Sequence, residues 1–236
     1  TAFFRACEGN FVEGVEIISE NAQELNIDLN AMGRTSIPSK WSKLTPFGIA
    51  VRNGHIEVVR KLLKASKKIG IVVNKVNWNS DCGPFSIACV EGNVEVAKLL
   101  LKHDKDQAKK EMNFVDENGK SIFHYACESK SLPMVQFLLA NLSSIDVNTK
   151  DYNGDTAFHL ACTKGHKETL HILLKNAKDK GLELNSTNKK GEKGLDLIRS
   201  GGHSTSSLQL EPYMHPIYMP HMQSTFKYLN VEDSRY

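Results

Sequence analysis

The sequence predicts an all-α chain, a helical repeat built of helix–turn–helix units joined by short β-hairpin loops. Three observations predict it. Five heptapeptides align without gaps along the chain, and each is followed by a polar break and an apolar helical stretch. Turns rich in Asp and Asn then lead from one copy to the next.

The heptapeptides are Thr1-Ala2-Phe3-Phe4-Arg5-Ala6-Cys7, Thr45-Pro46-Phe47-Gly48-Ile49-Ala50-Val51 and Gly83-Pro84-Phe85-Ser86-Ile87-Ala88-Cys89. Ser121-Ile122-Phe123-His124-Tyr125-Ala126-Cys127 and Thr156-Ala157-Phe158-His159-Leu160-Ala161-Cys162 follow, with a degenerate sixth copy from Lys193 to Ile198. Thr45 and Thr156 suit an N-cap, because a hydroxyl there accepts a bond from an unpaired amide of the first turn. Pro46 and Pro84 take the first helical position, where no amide donor is missed. Phe, Ala and the seventh residue recur on one face and predict a short helix with a buried stripe. Gly54-His55 and Gly165-His166 break the chain, and stretches such as Val58 to Leu63 and Val96 to Leu101 predict an antiparallel return helix. Asp146-Val147-Asn148 and Asp151-Tyr152-Asn153-Gly154 read as an extended turn into the next copy.

These motifs, Thr-Pro-Phe, Asn-Gly-His, Leu-Leu and Asp-Val-Asn in that order, resemble the ankyrin repeat over residues 1 to about 199. The resemblance implies a solenoid of about five full repeats plus a partial sixth. The copies begin 44, 38, 38, 35 and 37 residues apart, wider than the roughly 33 of the family. The surplus falls in polar stretches such as His103 to Lys110 and Lys175 to Gly181, expected as longer second helices or outer loops, and in an insertion near Gly33 to Lys40. In the fourth copy Lys130-Ser131 replaces Gly-His, and Pro133 falls in a first helical turn, where it costs little.

Composition narrows the function. A formal charge of +3 with scattered Lys and Arg offers no basic block for nucleic acid. No stretch approaches the roughly 20 apolar residues of a membrane span. Five cysteines, an odd number without close pairs, fit a reducing compartment, with a cytoplasmic or nuclear setting expected. Cys7, Cys89, Cys127 and Cys162 share one repeat position, where Val51 stands in the second copy, and read as small packing residues. No Cys-x-x-Cys or His-Glu-x-x-His spacing offers a metal site. Gly119-Lys120-Ser121 imitates the end of a phosphate loop, but Phe114 stands where its first glycine belongs. His124, His159, His55 and His166 fall at positions where the resemblance implies hydrogen bonding within and between repeats. Asn148 matches the hairpin asparagine that an oxygen-sensing hydroxylase modifies in some ankyrin proteins, and its structural role is to lock the hairpin. No catalytic residue and no cofactor is expected.

The resemblance implies an interaction module that binds a protein or peptide. The alternative is a regulatory arm of a larger protein such as a channel, an acyltransferase, a ubiquitin-ligase adaptor or an NF-kappa-B inhibitor. Carried over copy by copy, the family's variable contact positions become Trp41, Arg52, Asn53, Asn79, Glu117, Glu128, Tyr152, Asp155, Thr163 and Lys164. Their mixed charge and aromatic anchors favour a peptide with apolar anchors and polar flanks. Residues 1–199 are thus the repeat domain, 200–207 a flexible Gly/Ser connector, and 208–236 a tail rich in Pro, Tyr and Met. Tyr213, Met214, Ile217, Tyr218 and Met219 are expected to dock on a protein surface, either the concave groove or the open side of the sixth copy. Phe3, Phe4 and Phe11 are an unusual apolar surface for a terminal repeat, and an upstream continuation is expected to cover part of it.

Overall fold

The structure is a computed structural model and describes residues 1–35, 43–74, 82–141, 145–204 and 207–210. Its fold is an all-α helical repeat. The chain divides into two compact units, one of Thr1–Asp116 together with Ser143–Ile145, the other of Glu117–Leu142 and the chain from Asp146.

In the first unit, the helix pairs are α1 (Ala2–Glu8) with α2 (Val12–Glu20), α3 (Pro46–Arg52) with α4 (Ile56–Ile69), and α5 (Pro84–Val90) with α6 (Val94–His103). Inner helices pack on inner helices in the order α1, α3, α5, and outer on outer in the order α2, α4, α6. Each inner helix starts as the sequence predicts. Thr1 and Thr45 accept from the amides of Phe4 and Gly48 at 3.2 and 3.0 Å, and Pro46 and Pro84 sit in the first turn. The recurrent Phe3, Phe47 and Phe85 are all buried.

The irregular spacing is resolved element by element. At the first insertion the described residues form a short antiparallel pair, β1 (Gly33–Arg34) with β2 (Lys43–Leu44), with Gly33 opposite Leu44. The polar stretch after His103 is not a continuation of α6. Asp104 accepts from the Gln107 amide at 2.9 Å and starts a separate helix, α7 (Lys105–Glu111). Burying Ala108 and Glu111, α7 packs against α5.

The apolar terminal face expected at Phe3 and Phe4 is corrected here, because both rings are buried within the unit. Phe4 stands at the third helical position, where the fourth and fifth copies carry His124 and His159, and its ring lies directly against Gly33 of β1. A Cβ at Gly33 would come within 2.4 Å of that ring, so a side chain there would collide with it. Phe11 alone of the three is exposed.

The second unit contains α8 (Ile122–Glu128) with α9 (Leu132–Ala140), α10 (Ala157–Lys164) with α11 (Lys167–Lys180), and α12 (Asp196–Ser200). Here the polar surplus, Lys175 to Gly181, does lengthen the outer helix α11, which Gly181 ends in the left-handed region at φ 67°. Pro133 is accommodated in the first turn of α9. Lys130, at the usual glycine position of the turn, adopts φ 61°, a conformation that costs a non-glycine residue about 1–2 kcal/mol.

Beyond α12 the chain repeats the inter-helix turn of the earlier copies. His203 donates its amide to Ile198 at 2.9 Å, as His166 does to Ala161 at 3.2 Å, each five residues back. Thus 200–204, read from composition as part of a connector, carry the turn of the sixth copy. Leu208 and Leu210 are then buried, and His171 of α11 hydrogen-bonds the carbonyls of Leu208 and Gln209 at 2.9 and 3.0 Å. Lys167 of α11 also donates to Gln209 at 2.6 Å, so this segment is held against α11 after the turn of the sixth copy.

Candidate functional site

Within each unit, successive copies are coupled by repeating hydrogen-bond devices of three kinds. The first uses the histidine of the inner helix. In α8 the His124 Nδ1 accepts from the Ser121 amide at 3.1 Å, and Nε2 meets the Asp155 carbonyl of the next copy at 2.9 Å. In α10 the His159 Nδ1 accepts from the Thr156 amide at 3.2 Å, and Nε2 meets the Glu192 carbonyl at 3.2 Å. Acceptance at Nδ1 places the ring proton on Nε2, which then donates to the carbonyl.

The second device lies at the turn between helices. His55 Nδ1 bonds the Cys7 carbonyl at 2.9 Å, Asn93 donates to the Val51 and Arg52 carbonyls at 3.1 and 2.7 Å, and His166 Nδ1 bonds the Cys127 carbonyl at 2.9 Å. Each reaches back to the preceding inner helix and pairs carbonyls that helix formation leaves open. The third is the hairpin asparagine. Asn148 donates to the Gly181 carbonyl at 2.8 Å and accepts from the Glu183 amide at 2.9 Å, and Asn30 does the same with Gly70 and Val72 at 2.9 and 2.8 Å.

The cysteines occupy the core beside these devices. All five are buried, and none is in a disulfide. Burial pushes the Cys7 thiol up to about 12 and raises Cys89, Cys127 and Cys162 as well, so these thiols stay protonated at neutral pH. No group of three or more His, Cys, Asp or Glu among the described residues could hold a metal ion.

On this frame the predicted contact residues fall into two separate sets. In the first unit Arg52 is half-buried, and exposed Asn53 donates to the Glu8 carbonyl at 3.2 Å. Trp41 and Asn79 lie outside the described residues, as do Tyr213, Met214, Ile217, Tyr218 and Met219. In the second unit Glu117, Tyr152, Thr163 and Lys164 are exposed, and Tyr152 is the most exposed large apolar side chain described, at 66 %. Its backbone is fixed, since its amide donates to the Asn118 carbonyl at 2.9 Å and its ring lies against Gly119. Asp155 is half-buried and accepts from Asn188 at 2.9 Å.

The structure brings Glu128 and Lys164 together at 3.8 Å, and adds a residue that the sequence reading passed over. Lys120 pairs with Glu128 at 2.7 Å and lies 5.8 Å from the centroid of the Tyr125 ring. A signal for it existed in the register. Lys120 directly precedes the cap Ser121, as Asp155 precedes Thr156 and Glu192 precedes Lys193. The second unit therefore presents Tyr152, Tyr125, the Lys120–Glu128–Lys164 cluster and Thr163 from hairpin ends and inner helices.

This combination of stacked helix pairs, inter-copy histidine and asparagine bonds and exposed inner-helix residues defines a helical-repeat interaction protein. The chain belongs to the ankyrin-repeat family: the family model described as ankyrin repeats (3 copies) matches residues 3–111 and 85–188. Ankyrin repeats are generally protein–protein interaction modules and are typically non-catalytic. None of the curated proteins compared with the chain matches it. No helix among the described residues is long and apolar enough to cross a membrane.

Proposed function

We propose that this chain is a non-catalytic binding module, and that the second unit holds a peptide segment of a partner protein along its hairpin ends and inner helices. The observation that carries this reading is Tyr152, a large aromatic side chain exposed at 66 % on a hairpin pinned by backbone bonds to its neighbour. A rigid aromatic anchor binds with little loss of conformational freedom. Around it, Lys120, Glu128 and Lys164 offer both signs of charge, and Thr163 lies exposed beside them. A peptide with an apolar anchor and polar flanks of mixed charge suits this surface. The burial of all five cysteines, none of them in a disulfide, supports action in a reducing compartment, the cytoplasm or nucleus. Downstream of Leu210 the tail supplies a second docking segment through Tyr213, Met214, Ile217, Tyr218 and Met219, a reading supported by its Pro, Tyr and Met content.

The experiment is affinity capture from cell extract with the full chain, a Tyr152→Ala/Lys164→Glu variant, and a chain ending at Leu210. Loss of a specific partner with the double variant, and a changed yield with the shortened chain, support both parts. Identical capture by all three overturns them.

A further inference from the structure

We infer that the hairpin row of the second unit selects a peptide by its order of charges. The peptide sets a Lys or Arg against Glu117, an apolar residue against Tyr152, and an Asp or Glu against Lys189 and Lys190. The inference rests on the groove reading proposed above and adds to it the chemistry of the ligand. Three hairpin ends of this unit share one backbone conformation. Gly119, Gly154 and Gly191 each stand two residues before the start of a heptapeptide copy, at Ser121, Thr156 and Lys193, and have φ of 76°, 80° and 78°. The tips also bond to one another in the same way. Tyr152 donates its amide to the Asn118 carbonyl and Lys189 to the Asn153 carbonyl, both at 2.9 Å. Glu117, Tyr152 and Lys189 are therefore equivalent positions on successive hairpins, and Lys190 stands where the earlier two carry Asn118 and Asn153.

This register turns a difference in sequence into a gradient in space. The row passes from a carboxylate, through an aromatic ring, to two ammonium groups, and all four side chains are exposed. Among the described residues no side-chain hydrogen bond or ion pair engages Glu117, Lys189 or Lys190. Glu128, in contrast, is shared by Lys120 at 2.7 Å and Lys164 at 3.8 Å, so that cluster is largely neutralised within the protein. A charge already paired adds little to the choice of ligand. An unpaired one attracts an opposite charge and rejects a like one. The choice therefore falls to the tips.

Tyr152 sets the centre of the row. Its ring leans on Gly119 of the preceding hairpin, where a Cβ would come within 2.8 Å of it, so the fold braces the ring while most of its surface stays open. Helix packing then sets the spacing. Inner helices α8, α10 and α12 pack in that order, and packed helices stand about 8–10 Å apart. An extended chain advances about 3.3 Å per residue, so successive tips meet ligand residues about three apart. The ligand is thus an extended segment with its apolar residue between a basic and an acidic one. A uniformly anionic ligand such as nucleic acid would meet the Glu117 carboxylate at one end of the row.

The test is selection from a displayed library of random linear peptides on the full chain, keeping those that a Tyr152→Ala variant no longer binds. The expected winners carry a basic and an acidic residue on opposite sides of an apolar one, each about three positions from it. For a synthetic winner, Lys189→Glu/Lys190→Glu should lower affinity at least about tenfold, and exchanging the peptide's acidic residue for Lys should restore it. Glu117→Lys should also lower affinity, and exchanging the peptide's basic residue for Glu should restore that loss. All three substituted charges are exposed, and thermal unfolding checks that each variant is folded. Winners without this charge order, or failure of either exchange to restore binding, would overturn the inference and leave the groove reading standing. If no peptide is sensitive to Tyr152→Ala, both are overturned. Self-association of the wild-type chain abolished by Lys189→Glu/Lys190→Glu would overturn the inference in favour of a second copy.

Discussion

The Glu111 carboxylate accepts a hydrogen bond from the Ser86 amide at 2.9 Å, while the Ser86 hydroxyl donates to the Glu111 carbonyl at 3.1 Å. Ser86 is in the first turn of α5, whose cap position holds Gly83 in place of the Thr or Ser of other copies. Glu111, from the end of α7, supplies the missing cap from outside the helix, and its carboxyl group fills the space that a Cβ on Gly83 would enter. Gln107 also donates to it, at 3.0 Å. Removing the carboxyl group with Glu111→Ala leaves buried amides unpaired and should cost about 1–3 kcal/mol in urea unfolding.

The same pair predicts a pH dependence. Burial raises the Glu111 carboxyl above its ordinary value, although hydrogen bonds from Ser86, Gln107 and Phe85 oppose it. A raised acid binds its proton more tightly folded than unfolded. Its stabilising contribution is therefore complete below the ordinary value of 4.5 and is lost as pH rises through the folded value. Against Glu111→Gln, which cannot ionise, the wild-type chain should lose stability over that window. Parallel pH profiles for the two would exclude the assignment.

Cys89, Cys127 and Cys162 are predicted to resist a thiol reagent in the folded chain and to react once urea unfolds it. Their burial and raised pKa both suppress the thiolate. Replacement of each by Ala should cost about 1 kcal/mol or less, well below a large-to-small cavity. Labelling of all three within minutes under native conditions would contradict this.

Replacing His159 by Ala removes the acceptor of the Thr156 amide and the donor to Glu192, both buried or partly so. The expected loss is about 1–3 kcal/mol, with a similar loss for His124. Double replacement should be additive only if the two links act independently, which a mutant cycle measures.

The hairpin lock is more exposed, so its effect is local. Asn148→Ala should accelerate hydrogen exchange of the Glu183 amide while changing global stability by about 1 kcal/mol or less. An unchanged exchange rate at Glu183 would show that the bond carries no protection.

The repeat register, the cap at Thr45, the buried Phe series and the packing cysteines were all legible in the sequence. Each depends on residues three to seven apart, and such local spacings are fixed by helix geometry alone. The hairpin lock of Asn148 was legible too, through its motif. Other features were decided by packing of distant residues. Gly83 gave no sign that Glu111 would cap its helix, because the two meet only once α7 folds against α5. Phe4 looked exposed until Gly33 closed over it. Ser200 to Ser204 looked like a linker by composition, yet His203 closes the repeat's own turn, and the buried Leu208 and Leu210 lie in a segment that His171 of α11 holds through the Leu208 and Gln209 carbonyls. The Lys120–Glu128–Lys164 cluster is likewise tertiary, since it joins a hairpin end to two successive inner helices. Periodicity determines which face of a helix is apolar, whereas the partner that covers that face is set by how one copy stacks on the next.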